Sequence, residues 1–136
     1  MTPRMVATAA AITSFIFGIG GLAAPTALAS AFGVTLDPTG IVLARMACAS
    51  YLGFGVLAWL ARDLTDPAAW RAIAAAQAVA WGVGTVVDIA AIASGLGEAR
   101  GWAVIALQVA FTVAWSMGFL RASLVPGHSP SSPAQG

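Results

Sequence analysis

The chain contains no lysine; its basic residues are six arginines, set against five acids, one histidine and one cysteine in 136 residues. Charged side chains make up 8% of it, whereas an ordinary soluble domain carries about 25%. So small a supply cannot cover a water-facing surface, and with 60% of residues hydrophobic the expected solvent is lipid. The single thiol, Cys48, excludes an internal disulfide, and the absence of Cys-x-x-Cys argues against redox exchange with quinones. A net charge of +1, with no basic run and no basic–aromatic interleaving, argues against nucleic acid as a partner. There is no Gly-rich phosphate loop, His-Glu-x-x-His helix, metal-ligand cluster or nucleophile–base pair. The chain therefore reads as a non-enzyme with no cofactor and no metal. Acid–base work by a single aspartate, Asp88, is the one catalytic chemistry left open.

What the chain does have is four apolar segments, Met5–Ala24, Ile41–Ala61, Ile73–Ile92 and Trp102–Leu120, each near the roughly 20 residues a helix needs to cross a bilayer. Thr2-Pro3, Asp37-Pro38 and Asp66-Pro67 each set a capping side chain before a proline at the first helical position. The expectation is an all-α, polytopic membrane protein: an antiparallel four-helix transmembrane bundle within residues 1–125. Its spans fall at about 3–24, 38–61, 67–94 and 101–121. Gly95 and Gly97 end the third span. Residues 25–32 suit a short interfacial helix closed by Phe32-Gly33. The tail 126–136, rich in Ser, Pro and Gly and holding the lone His128, reads as disordered.

The first span has a competing reading as a signal peptide, with Arg4 as its basic start and Ala27-Leu28-Ala29 as a small-x-small cleavage site. Its apolar stretch exceeds the 7–15 residues of a signal core, which favours a retained helix. The arginine-only, Ala/Gly-rich composition points to a bacterium and hence to the inner (plasma) membrane.

Two charges stand inside the spans: Arg45 near the start of the second and Asp88 near the end of the third. In antiparallel neighbours both lie at about the same depth, Arg45 about 6 Å inside its helix limit at 1.5 Å per residue. The expectation is an intramembrane Arg45–Asp88 pair, since either charge alone is costly in hydrocarbon. Gln77, Trp81, Gly84 and Asp88 form one stripe, spaced by four, three and four. Gln108, Thr112 and Trp115 form a weaker one on the fourth span. On the second span Arg45, Ala49, Leu52, Val56 and Trp59 share a side, and Tyr51 sits near mid-membrane.

These residues — Arg45, Asp88, Gln77, Trp81, Gln108, Trp115 and Tyr51 — make up a candidate ligand-binding or structural polar site. The pair serves equally well to fix helix register, the glutamines act as interhelical hydrogen-bond partners, and the deep tryptophans as core. Trp59, Trp70 and Trp102 lie at span ends, where aromatic belts form. Small residues four apart (Ala49/Gly53, Ala78/Gly82, Ala110/Ala114/Gly118) suit close helix contact within one chain or between copies.

The pattern Pro25, Phe32-Gly33, Leu36-Asp37-Pro38, Gly40, Ala44-Arg45, Tyr51, Gly53, Gly55 and Trp59-x-Ala61-Arg62 resembles small bacterial four-helix membrane proteins of the DoxX-like kind. The resemblance covers about a third of the chain. It implies a four-helix bundle in the inner membrane and assigns no activity.

Two functions follow as expectations. The first is a non-enzymatic bundle that binds a small apolar or amphiphilic ligand, or serves as an accessory or scaffold subunit in a membrane complex or homo-oligomer. Its partners are then membrane lipid and that ligand. The second is a small dimeric transporter or channel with Asp88 as coupling acid. Arginine placement (Arg4, Arg62, Arg71 and Arg121 against Arg45 and Arg100) puts both termini in the cytoplasm. An alkaline phosphatase reporter fused within residues 63–66 is therefore expected to be inactive and one fused within 96–99 active; the reverse pattern would invert this topology.

Overall fold

The structure, a computed structural model, describes residues 2–95 and 99–124. The expected tail with His128, and Gly97 and Glu98, lie outside the described residues. The chain forms five helices in order: α1 Pro3–Ala23, α2 Pro25–Ala31, α3 Pro38–Ala61, α4 Pro67–Ala93 and α5 Gly101–Ser123. The described residues contain no strand. Four helices, all but α2, are long and apolar enough to cross a membrane.

The limits come from local chemistry. Thr2 Oγ1 accepts from the Met5 amide at 3.3 Å, Asp37 Oδ1 from Gly40 at 2.6 Å, and Asp66 from Ala68 and Ala69 at 3.0 and 3.3 Å. Each cap satisfies amides that a helix start leaves open, and the following proline has no amide to satisfy. Gly33 and Gly95 stop α2 and α4 at positive φ (78° and 77°), a conformation open to glycine without steric cost.

The long helices associate as two tight pairs. α1 lies along α3 and α4 along α5, while narrower α1–α5 and α3–α4 seams join the pairs. α2 turns back against α1 and α3. Glycine sets the distance between α1 and α3: a Cβ at Gly18 would stand 2.6 Å from Leu52 Cδ2, and one at Gly21 would collide with the Cys48 sulfur. From the other side Gly55 receives Phe15, whose Cδ1 would lie 2.9 Å from an added Cβ. In α4 and α5 the small residues expected to make contacts do so in part, with Gly82 against Thr112 and Gly118 against Trp70 Nε1, each 3.5 Å from a built Cβ. Gly53 meets nothing within 4 Å, so the Ala49/Gly53 pair faces outward.

The core runs from Val6, Ala7, Ala10 and Ala11 across Ala58 and Ala61 to Trp81, Phe111 and Trp115. Trp81 stacks on Phe111 at 4.8 Å and Trp70 meets Trp115 at 5.4 Å. Trp59 and Trp102 are exposed, as a belt requires, but Trp70 is only 7% exposed and is corrected to a core residue. Large apolar side chains such as Ile16, Leu43, Val83 and Leu120 point outward from all four long helices, the surface lipid demands. At the arginine-rich end Asp63 takes both Arg4 (3.5 Å) and Arg62 (3.0 Å), tying the start of α1 to the end of α3.

Because α1 and α3 touch through glycine, Gly21→Leu is expected to lower stability by about 1–3 kcal/mol, the range for overpacking. Gly20→Ala is the control, since a Cβ there meets nothing within 4 Å, and it should be neutral or stabilising. Thermal midpoints in detergent check this, and equal midpoints would contradict it.

Candidate functional site

At the end of the bundle away from the Arg4–Asp63 pair, a cavity of about 360 Å³ opens between the two helix pairs. Phe17 and Gly21 of α1, with Pro25 and Leu28 of α2, line one part of it. Phe32, Val34 and Leu36 close it from the connecting segment. Ala44, Ala47, Cys48 and Tyr51 of α3 face Asp88, Ala91 and Ile92 of α4, with Gly101 and Val104 of α5 beside them. Apart from Asp88, the Tyr51 hydroxyl and the Cys48 thiol, the lining side chains are hydrocarbon. The volume falls at the small end of the range typical of ligand pockets, roughly 300–1,000 Å³.

Asp88 projects into this wall from α4 and is half-buried. Its Oδ2 accepts from Gln108 Nε2 of α5 at 2.8 Å, well within the range of a formed N–H···O bond. Gln108 is 3% exposed and lies over Gly84, its Nε2 3.5 Å from where a Cβ would be. The Gly84 position in the α4 stripe thus makes room for the amide. Tyr51 lines the same cavity as Asp88, and its ring meets Trp81 at 6.1 Å.

The expected Arg45–Asp88 pair is not formed. Among the described residues the ion pairs are Arg4–Asp63 and Arg62–Asp63, and Arg45 is exposed on the outer side of α3. The reason is the pairing of helices. α3 gives its small face to α1 and meets α4 only along a narrow seam, so Ala44 faces the cavity while Arg45 is turned about 100° further round. The side expected to carry Arg45 toward the bundle is instead largely exposed at Ala49, Val56 and Trp59.

The other stripes face inward as read. Gln77, Trp81, Gln108 and Trp115 are all buried, and Trp115 is fully so. Of the candidate site residues, Asp88 and Tyr51 line the cavity, Gln108 stands buried behind Asp88, and Gln77, Trp81 and Trp115 belong to the core. Gln77 Nε2 reaches Phe54 O of α3 at 3.4 Å, longer than a well-formed bond, and its Oε1 has no partner. The polar atoms of Gln77 contribute little. The aromatic arc of Phe17, Phe32 and Tyr51 was not read from the sequence; it depends on α2 folding back. Among the described residues no group of three His, Cys, Asp or Glu side chains stands close enough to hold a metal. Comparison of the chain with family models, curated proteins and solved structures finds no match.

Gln108→Leu is expected to cost about 1.5–3 kcal/mol, because it strips a charged acceptor of its donor. Gln77→Leu should fall within about 1 kcal/mol of the parent in either direction: both glutamines carry an unpaired Oε1, but the bond lost at Gln77 is long and goes to a neutral carbonyl. Unfolding in mixed micelles measures both; a larger loss at Gln77 would reverse the assignment.

Proposed function

We propose that this protein is a non-enzymatic integral membrane protein that binds a small apolar or amphiphilic molecule in the cavity at Asp88. The observation that carries this reading is the cavity itself, about 360 Å³ of space walled by hydrocarbon from all five helices and marked by one carboxylate. A helix bundle serving only as a scaffold or accessory subunit has no need of such a space, and close packing there would be cheaper. Asp88, which lines the cavity where Arg45 does not, is the group that meets a ligand's polar end. Gln108 holds the carboxylate from behind. The absence, among the described residues, of any His, Cys, Asp and Glu group able to hold a metal supports a binding role over an enzymatic one. Location in a bacterial inner membrane with both termini cytoplasmic, and kinship with DoxX-like proteins, belong to the same proposal. They rest on composition, arginine placement and the Pro25–Arg62 pattern.

A second reading, a small dimeric transporter with Asp88 as coupling acid, gains from one observation. No ion pair joins Asp88 to an arginine among the described residues, and an acid that must exchange partners during transport works best without a permanent one. Proteoliposome flux that disappears in Asp88→Asn would favour this reading.

For the binding reading, the test is to fill the cavity. Ala44→Phe and Ala91→Phe place a ring in the space from opposite walls. Each is expected to weaken binding of the neutral probe N-phenyl-1-naphthylamine on the order of tenfold or more. Titration in detergent, followed by probe fluorescence, measures this; undiminished binding in both variants would overturn the proposal.

A further inference from the structure

Two features of the cavity select among apolar molecules. The first is charge. The Asp88 carboxyl is bonded through Oδ2 to a neutral amide, Gln108, and among the described residues no basic side chain lines the cavity. A carboxylate in surroundings of low polarity favours a positive partner and disfavours an anion. The second is the aromatic wall. Phe32 stacks on Phe17 at 6.0 Å, and Phe17 meets Tyr51 at 6.1 Å, and all three rings line the same cavity as Asp88. The face of an aromatic ring is the negative end of its quadrupole and attracts a cation within about 6 Å of its centroid. The arc therefore adds to the carboxylate's preference and also receives the hydrocarbon body of a ligand.

We infer that the ligand is a lipophilic organic cation, an amine or quaternary ammonium on an apolar or aromatic body, with Asp88 as its counter-ion and the Phe17–Phe32–Tyr51 arc against its charged carbon shell. This rests on the reading of the cavity as a binding site and specifies the chemistry bound there. Tyr51 joins the two features, since its ring belongs to the arc and it lines the cavity with Asp88.

The test compares benzyltrimethylammonium with neopentylbenzene, which has the same shape with carbon in place of the charged nitrogen, and with benzenesulfonate as the anion. Binding to the full chain in dodecyl maltoside is measured by equilibrium dialysis, referenced to empty micelles. The cation is expected to bind on the order of tenfold more tightly than its neutral isostere, and the sulfonate more weakly than either. Asp88→Asn should remove most of the cation's advantage while neopentylbenzene still binds, which also shows that the variant is folded. Tyr51→Leu should weaken the cation more than the isostere. Equal binding of cation and isostere to the parent protein overturns the inference and leaves the apolar cavity reading intact. An Asp88→Asn variant that keeps the full preference also overturns it. Failure of cation and isostere alike to bind, together with failure of the naphthylamine probe, removes the cavity reading as well.

Discussion

Gly18 and Gly21 let α3 press Leu52 and Cys48 onto the backbone of α1, and much else follows from that approach. In lipid no hydrophobic force draws helices together, so association depends on close van der Waals packing and on the small residues that permit it. Once α3 has given its small face to α1, it has only a narrow seam left for α4. The α4–α5 pair is built differently, on aromatic stacking and on glycines at Gly82 and Gly118 that admit neighbouring side chains. Two pairs with different interiors meet along edges that do not match. The mismatch is filled by Trp81, Phe111 and Trp115 at one level and left open at the level of Asp88.

The polar groups are arranged by the same logic. A carboxylate facing an apolar space needs a donor, and the helix packed tightly against α4 supplies one in Gln108. The bond crosses the α4–α5 interface, where the backbones are held close. It does not cross the looser α3–α4 seam, where Gln77 reaches Phe54 only at 3.4 Å. Bond quality thus follows packing. The carboxyl is anchored from one direction and stays open toward the cavity.

Much of the fold was legible in the sequence because the relevant signals are local. Thr2, Asp37 and Asp66 before prolines mark helix starts whatever the tertiary structure does, and Pro25 with Gly33 brackets α2. The inward faces of α4 and α5 could also be read, since each carries polar and aromatic residues at helical spacing. α3 gave no such guide. It is apolar on every side and has small residues on several, so its one charge, Arg45, was the only marker and pointed to the wrong face. Gly18, Gly21 and Gly55 were concealed among fifteen glycines, and nothing in spacing alone separates a glycine that touches a neighbour from Gly20 or Gly53, which touch none. The cavity is a property of how pairs of helices meet and of where α2 turns back, and neither is written in any single segment.

The outward position of Arg45 has its own consequence. A guanidinium on a lipid-facing surface, about 10 Å inside the start of α3 by rise per residue, is expected to extend its hydrocarbon stem along the helix toward the phosphate level. Such a side chain works as a tether that sets the vertical level of α3 in the bilayer. Ala44, Cys48 and Tyr51 ride on that same helix, so the height of the cavity relative to the headgroups is coupled to the thickness of the surrounding membrane.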